Sequence, residues 1–529
     1  MGNIVLVGFM GTGKTAVGKT LAAALGLAFV DTDAMIEMQT GLSIPEIFRT
    51  RGEPGFRAIE KEIVRGLAGA TDHVIATGGG VVLDAENVRI LKLLGPVVHL
   101  TAAPEVILAR TGGDASERPM LAGTDALERI KELLAFRAPF YAQADDTIDT
   151  SNLDAYAVAR RVLESVNGTT IRRVRVDLGP DSYDIVIGVS VLSHLGLLLR
   201  AFDLTSRALI VTNPGIGRCY GDTVERALRS AGFEPAVAEV PDGEAHKSLD
   251  WASRLYDAML DHRMDRRSPV IAVGGGVIGD LTGFAAATYM RGVPFVQVPT
   301  SLLAQVDASV GGKVAVDHPR GKNLIGAFHQ PRLVLISLDT LQSLPDRELR
   351  AGLAEVIKHG VIADAELFEY LEQHLDTVLA RSGDALAHLV ARSCEIKAEV
   401  VSGDEREQGR RVILNYGHTI GHAIEAQLSY TGLLHGEAVA IGMVCAARIA
   451  ELMNLLDGES VDRIARLIER AGLPIAPLAL DIDGMLRTMT HDKKTVGGRL
   501  RFVLPTRIGA VEVVDGVTGE MIRDSLRVR

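Results

Sequence analysis

The sequence predicts an α/β protein in two successive parts, the second turning mostly helical towards its C-terminal end. Three observations predict it. The apolar run Ile4-Val-Leu-Val7 reads as a buried strand, and it leads through a glycine-rich turn into a helical run from Ala16 to Leu25. A fresh strand pattern starts at Ile171, where Val174, Val176 and Leu178 alternate with polar residues. After about Pro345 the texture changes to long helical patterns rich in Ala, Leu and Glu.

The elements follow in order. Ala28–Val30, Val74–Ala76 and Val97–Leu100 read as further strands. Ala155–Val166 reads as a closing helix, with Asp154 placed to cap it. Asn167-Gly-Thr-Thr170 has linker composition. Beyond it Ala208–Thr212, Pro235–Val240, Val270–Val273 and Phe295–Val298 read as strands between helical segments. The expected organisation is a domain at 1–166, a linker at 167–170, an α/β domain at 171–344 and a helical domain at 345–529. No internal repeat or low-complexity segment interrupts it.

Composition sets the class. Of 529 residues, 47% are apolar and 23% charged, and 55 glycines with few aromatics suit α/β domains with aliphatic cores. The net charge of −11 argues against a nucleic-acid or anionic-membrane partner, because either would want a basic face. An anionic ligand must then be caught by local cationic pockets. Cys219, Cys394 and Cys445 are far apart with no CxxC, so reduced thiols are expected and no disulfide framework. No stretch approaches the roughly 20 apolar residues of a spanning helix. The start, Met1-Gly-Asn-Ile-Val-Leu-Val-Gly8, has neither the basic region of a signal peptide nor the Ser or Thr of a myristoylation signal. A cytoplasmic enzyme of small molecules is the expectation.

Gly8-Phe-Met-Gly11-Thr12-Gly13-Lys14-Thr15 matches the eight-residue phosphate-binding loop, and it lies where that loop must lie, between strand and helix. Glycines let successive backbone N–H groups curl around a phosphate, and the helix N-terminus adds its dipole. Lys14 can reach the β- and γ-phosphates of ATP, and Thr15 can ligate Mg²⁺. A second substrate is indicated by other residues. Asp31-Thr-Asp33 follows the second expected strand and offers carboxylates for magnesium and a hydroxyl. Gly52-Glu-Pro-Gly-Phe-Arg57, Arg118-Pro119 in a Gly/Asp/Ser-rich segment, and Arg137-Ala-Pro-Phe-Tyr141 each bring a guanidinium. Gly78-Gly79-Gly80 allows close backbone approach to a ligand. Singly, each arginine reads as a solvated charge; together beside a phosphate loop they point to a small anionic substrate held by bidentate pairing.

At these motifs the first part resembles the shikimate kinases, over about residues 1–165. The resemblance implies a P-loop kinase domain, a parallel sheet flanked by helices. It implies that Gly11, Thr12, Gly13 and Lys14 hold ATP and that Thr15 and Asp31 serve Mg²⁺. It further implies that Asp33, Arg57, Gly79, Gly80 and Arg137 hold shikimate, that Asp33 orients or deprotonates the attacking hydroxyl, and that Arg118 closes from a lid.

The second part carries another glycine turn, Gly274-Gly275-Gly276-Val277-Ile278-Gly279-Asp280, again between a strand and a helix. That placement suits a pyrophosphate, although the spacing is not GxGxxG and is weak by itself. Asp242-Gly-Glu244-Ala-His-Lys247 offers a carboxylate for ribose hydroxyls and a nearby lysine, and Thr300-Ser301 follows a strand. Metal candidates come later. His418 and His422 are at i, i+4 and share a helix face; His435 follows thirteen residues on, and Glu355 lies on another expected helix. Three N/O ligands with an open position is the pattern of a catalytic zinc, and spacing alone nominates His418 with His422. Lys313, Lys322 and Lys493-Lys494 are isolated cations that a phosphorylated carboxylate would bring together.

This part resembles the 3-dehydroquinate synthases over about residues 171–529, through PDGExxK, GGGVxGD, TYxRG, PTSLLAQVDASVGGK, GKN, GLAEVIKxG, LNxGHTxGHAIE, HGEAVAxG and DKK. The resemblance implies a synthase-like unit with an α/β NAD-binding domain and a mostly helical metal-binding domain. It places NAD on Asp242, Glu244, Lys247, Gly275, Gly276, Val277, Ile278, Asp280, Thr300, Ser301, Asp307, Lys313 and Lys322. It places Zn²⁺, with Co²⁺ as a substitute, on Glu355, His418 and His435, and makes His422 a proton-relay group. Arg291, Lys313, Asn323, Lys358, Arg411, Asn415 and Lys493 or Lys494 would grip the carboxylate and phosphate of the heptulosonate 7-phosphate. A homodimer through this part is expected. The competing reading is another sugar-phosphate cyclase or polyol dehydrogenase of the same fold; the paired basic motifs favour the phosphorylated carboxylate. The two implied reactions are not consecutive in the shikimate pathway, so direct handover between sites is not expected.

Overall fold

The computed structural model describes residues 2–111, 126–166, 171–428, 432–476, 482, 484–486 and 501–527. The chain divides into two compact units. One comprises Met1–Thr170 with Ser193–Leu204 and Asp222–Glu234; the other comprises Ile171–Leu192, Thr205–Gly221 and Pro235–Arg529. The expected linker at 167–170 lies outside the described residues.

In the first unit, strands β1 (Ile4–Val7), β2 (Ala28–Asp31), β3 (His73–Ala76), β4 (Val97–Thr101) and β5 (Asp146–Asp149) form one sheet in the order β2-β3-β1-β4-β5. Every pairing is parallel. β1 is central and apolar at every position because helices cover both faces. Ile4 and Leu6 pack with Val17, Leu21, Val158 and Val162 on one face, while Val5 and Val7 pack with Val64, Val81 and Leu91 on the other. That is the two-residue alternation of a strand. Helix Lys14–Leu25 follows β1, and helix Ala155–Val166 shares its core, its first turn capped where Ala157 N donates to Asp154 Oδ1 at 2.7 Å. The Ile44–Gly66 helix breaks at Gly52 (φ 68°, ψ 177°), and the segment after the break carries Arg57. Arg137 sits in the last turns of helix Ala126–Tyr141.

The second unit is built on a larger sheet. Its strands are β6 (Arg172–Val176), β7 (Tyr183–Gly188), β8 (Arg207–Thr212), β9 (Glu234–Glu239), β10 (Val270–Gly274) and β11 (Phe295–Pro299), with β12 (Lys313–His318) and β13 (Gly321–Phe328) forming a separate antiparallel hairpin before β14 (Leu333–Ser337). The sheet order is β6-β7-β14-β11-β10-β8-β9, with β6 antiparallel to β7. Leu178, expected to continue the first strand, falls past its end, because Gly179 (φ 62°) turns the chain. The hairpin was not legible as strands: β13 is partly exposed along its length and carries three polar or glycine residues at its start.

After β14 the chain is helical, as expected beyond Pro345. Helices Asp346–Ala363, Ala365–Leu379, Gly383–Gly403, His418–Gln427, His435–Leu452 and Gly458–Arg470 share one core, completed by the hairpin of β15 (Phe502–Arg507) and β16 (Ala510–Val514). Two close approaches fix the geometry that matters below. A Cβ on Gly436 would lie 1.9 Å from Ala351 O, and one on Gly442 would lie 1.9 Å from Gly417 O. The His435–Leu452 helix therefore packs backbone to backbone against both Asp346–Ala363 and the start of His418–Gln427. Cys394 and Cys445 are buried and Cys219 exposed, all as free thiols. Among the described residues, no helix is long and apolar enough to cross a membrane.

Candidate active sites

The first site forms beyond the C-terminal ends of β1, β2 and β3, where parallel strands leave a crevice. The loop after β1 needs its glycines. Gly11 and Gly13 have φ of 77° and 93°, and a Cβ on Gly8 would meet Leu100 O at 2.2 Å. Lys14 Nζ donates back across the loop to Phe9 O at 2.9 Å, and Thr12 Oγ1 donates to the same carbonyl at 2.8 Å. Thr15 Oγ1 donates to Asp31 Oδ2 at 2.8 Å, which joins the loop to the end of β2. Asp31 Oδ1 accepts from Asp33 N at 3.0 Å and so caps the next helix.

Asp33, Arg57 and Arg137 converge on the Gly78–Gly80 segment. A Cβ on Gly78 would sit 2.6 Å from Asp33 Oδ1, and one on Gly80 would sit 2.3 Å from Arg57 Nη2. The Gly79 carbonyl accepts from Arg137 Nη1 at 3.1 Å and from the Tyr141 hydroxyl at 2.5 Å. Burial pushes the Asp33 carboxyl up to about 6, against the opposing charge of Lys14 and with Asp31 and Glu60 adding to the rise. Glu60 escaped the sequence reading. It is fully buried and accepts from Arg57 Nη1 at 2.7 Å, while Glu53 accepts from Arg57 Nη2 at 3.1 Å. Its three-residue spacing from Arg57 was the available signal. Arg118 lies outside the described residues.

In the second unit the glycine turn caps the helix Gly276–Thr288, so the free N–H groups of its first turn face outward beyond β10. Gly276, Val277 and Ile278 form that turn. Thr300 N donates to Gly274 O at 3.0 Å, and a Cβ on Gly275 would lie 3.5 Å from Ser301 Oγ. Lys247 Nζ donates to Asp280 Oδ2 and to Asn323 Oδ1, both at 2.5 Å. Lys247 is buried, yet the charges of Asp280 and Glu244 outweigh burial and hold it protonated. Lys322 pairs with Glu244 at 3.3 Å, and Asp242 Oδ1 accepts from Asn213 Nδ2 at 3.5 Å. The Asn323 side chain, expected among the substrate-gripping residues, is the one that accepts from Lys247. Arg291 ends the turn after the helix with φ 68°, next to Met290 at 49°, an uncommon pair of left-handed residues.

A second group of charges lies on the helical side. Asp307, in the turn Ala304–Ala308, accepts from Lys397 Nζ at 2.7 Å and lies 3.8 Å from Lys358 Nζ. Both lysines are buried, and their charges hold the Asp307 carboxyl well below the usual range against the effect of burial. Arg411 is buried and donates to Gly311 O at 3.2 Å, where a Cβ would strike the guanidinium. Lys313 pairs with Glu407, which also accepts from Asn415 Nδ2 at 2.8 Å. Lys397 and Glu407 were missed: one sits mid-helix among apolar neighbours, and the other hides in a charge-rich loop that reads as solvated. Lys493 and Lys494 lie outside the described residues.

Glu355, His418 and His435 meet at the centre of this group. They come from three helices, and their ligand atoms lie within 4.8 Å of one another. His418 Nε2 is 3.6 Å and His435 Nε2 3.8 Å from Glu355 Oε1, an oxygen that is wholly buried and accepts no hydrogen bond. Lys358 forms an ion pair with the other carboxylate oxygen. His418 Nδ1 lies 3.1 Å from Tyr416 O. A carbonyl only accepts, so Nδ1 carries a proton, and in the neutral ring Nε2 presents its lone pair inward. An orphaned buried carboxylate oxygen facing two imidazole nitrogens suits a divalent cation of the zinc kind. A second grouping, His422 with Glu425 and His435, overlaps the first; the His422 ring is 5.3 Å from His418 and 5.9 Å from His435.

Comparison with known proteins follows the same division. The family described as shikimate kinase matches residues 10–167, and those described as 3-dehydroquinate synthase N-terminal and C-terminal match 237–351 and 352–495. A 3-dehydroquinate synthase of Desulforamulus reducens is 54% identical over 345 residues, 65% of this chain and 96% of that protein. The 2-epi-5-epi-valiolone synthase ValA of Streptomyces hygroscopicus, solved with NAD⁺ and Zn²⁺, is 30% identical with TM-score 0.61, covering 65% of this chain and 95% of that one. A 2-deoxy-scyllo-inosose synthase, solved with carbaglucose-6-phosphate, NAD⁺ and Co²⁺, is 27% identical with TM-score 0.61 over 67% of this chain and 99% of that one. The chain therefore belongs to the shikimate kinase family in its first part and to the 3-dehydroquinate synthase family in its second, and it is a bifunctional enzyme of the shikimate pathway.

Proposed function

We propose that the first site phosphorylates shikimate from MgATP. Gly11, Thr12, Gly13 and Lys14 hold the ATP phosphates; Thr15 and Asp31, already hydrogen-bonded to each other, hold Mg²⁺. Arg57, Arg137 and the Gly79–Gly80 backbone bind shikimate, and Arg118 closes from the lid. The shikimate hydroxyl oxygen attacks the γ-phosphorus, the bond to the β-phosphate oxygen breaks, and ADP leaves. Asp33 takes the hydroxyl proton; a carboxyl raised to about 6 is still ionised at neutral pH and is a stronger base than an ordinary aspartate.

The second site converts 3-deoxy-D-arabino-heptulosonate 7-phosphate to 3-dehydroquinate and phosphate. Glu355, His418 and His435 hold Zn²⁺ or Co²⁺, and the turn at Gly275–Ile278 with Asp242, Glu244, Lys247, Asp280, Thr300, Ser301, Asp307, Lys313 and Lys322 holds NAD. When bound, the cation polarises a substrate hydroxyl and the nucleotide takes up and returns a hydride, with no net redox change. The chain's own groups do the rest. Arg291, Lys313, Asn323, Lys358, Arg411, Asn415 and Lys493 or Lys494 grip carboxylate and phosphate; His422, beside the metal ligands, moves a proton. The identity of 54% to a 3-dehydroquinate synthase, against 30% and 27% to the two other cyclases, supports this substrate over theirs. In the same reading the protein is cytoplasmic, with the domains bounded as expected, and the second part forms a homodimer, which sedimentation at several concentrations tests.

The observation that carries the second assignment is the convergence of two Nε2 atoms on an orphaned Glu355 oxygen. Purified Glu355→Ala, His418→Ala and His435→Ala are expected to lose the metal and nearly all synthase activity. His422→Ala is expected to keep the metal and lose activity. Loss of zinc from His422→Ala with retention in His435→Ala would overturn the ligand set. Kinase activity should be unchanged in all four.

A further inference from the structure

His435 has two ring nitrogens and two carboxylates near it. Its Nε2 faces Glu355; its Nδ1 lies 3.3 Å from both oxygens of Glu425. Glu425 is buried, 7% exposed, and stands two turns beyond His418 on the same helix. His435 is the first residue of its own helix, held there where Glu437 accepts from Leu434 N at 2.8 Å. An ionised carboxylate only accepts, so the proton shared with Glu425 must sit on Nδ1. In the neutral ring that leaves the Nε2 lone pair for the side where Glu355 and His418 lie. His418 reaches the same state by another partner, the Tyr416 carbonyl. Tyr416 is fixed in turn, its buried hydroxyl donating to Met443 O at 2.9 Å.

We propose that Glu425 is a positioning residue of the metal centre, holding His435 in the Nδ1-protonated form with Nε2 presented to the site that Glu355 and His418 complete. The proposal rests on the assignment of those three residues as the metal's ligands. Such outer carboxylates fix both tautomer and ring orientation, and their loss weakens metal binding about 10–100-fold.

The test is zinc affinity of the full chain, by competition with a chromophoric chelator, alongside NAD affinity by fluorescence of bound NADH. Glu425→Ala is expected to bind zinc about 10–100-fold more weakly, with NADH affinity within about twofold of the wild type. Glu425→Gln keeps the volume and still offers an acceptor oxygen, so its loss is expected to be smaller but measurable, and it decides the matter if the alanine variant fails to fold. The cobalt-loaded variants should keep the visible spectrum of the wild-type ligand set. Zinc affinity unchanged in both variants would overturn the proposal. So would equal zinc loss in His422→Ala and Glu425→Ala, because Glu425 would then be a ligand itself. Glu355→Ala separates the two levels: if it keeps zinc, the underlying ligand set is wrong; if it loses zinc while Glu425→Ala does not, only the positioning role is.

Discussion

At the scale of single residues, two carboxylates show how environment assigns work. Asp33 is pushed up to about 6 mainly by burial, whereas Asp307 is pulled well down because Lys397 and Lys358 outweigh burial. The first is poised to take a proton and the second to remain charged. Asp33→Asn should therefore cut kinase turnover by about 10²–10⁴-fold, the usual worth of a positioned base, with synthase turnover unchanged in the same preparation. A kinase rate within tenfold of wild type would remove Asp33 from the chemistry. Asp307→Asn should instead destabilise the second unit by roughly 3 kcal/mol, because the buried Lys397 loses its counter-charge while Lys358 keeps only that of Glu355. The sign with pH follows from the depressed carboxyl: its contribution is present above the ordinary aspartate range and is lost as pH falls through the lower folded-state value. Urea unfolding of wild type and variant at neutral and acidic pH reads both effects, and a difference that does not shrink at low pH contradicts the account. Legibility at this scale depended on motif context. Lys14, Asp33 and Arg57 stood in turns that point at phosphate chemistry. Lys397 did not, since a lysine on a helix between Glu395 and Glu399 carries no pattern that tells a buried ion pair from a surface charge.

At the scale of elements, the strands and helices around both sites follow from period and punctuation. β1 and β10 are unbroken apolar runs, and β11 is buried throughout with only Gln297 polar, because both faces of each sheet are covered, and each leads into a glycine or hydroxyl turn. The β12–β13 hairpin was harder to read because β12 turns only Val314 and Val316 into the core and β13 has no fully buried position. The close helix packing was also illegible. Gly417, Gly436 and Gly442 stand in motifs that say nothing of their packing, and the structure shows that they let three backbones approach closely where Glu355, His418 and His435 meet. Gly442→Ala puts a methyl 1.9 Å from the Gly417 carbonyl, so the two helices must separate. The expected outcome is a loss of about 1–3 kcal/mol in stability, as for other overpacked sites, together with weaker zinc binding, although Gly442 touches no ligand. Calorimetry and metal titration check the two parts. Full zinc affinity in a destabilised variant would show that the helix spacing does not set the site.

At the scale of the whole molecule, the two chemistries want different cations. Thr15 and Asp31 offer hard oxygens beside a phosphate loop, the setting of Mg²⁺, which keeps much of its water and is held weakly by protein groups alone. Glu355 with two imidazoles offers a compact mixed set that binds zinc or cobalt far more tightly than magnesium. A chelator selective for zinc, added with Mg²⁺ in excess, should therefore silence one activity of the chain and spare the other. Synthase turnover is expected to decay with the time course of zinc removal and to return on adding Zn²⁺ or Co²⁺. Kinase turnover in the same tube is expected to stay constant. The same logic predicts the thermal behaviour. Zinc and NAD bind only the folded second unit and should raise its transition, by an amount set by ligand concentration over dissociation constant, while MgATP with shikimate should raise the other. A kinase rate that falls in step with zinc loss, or a single transition that all these ligands shift together, would mean that the units share their stability. The chain would then be one cooperative body, and neither activity could serve as the internal control for the other.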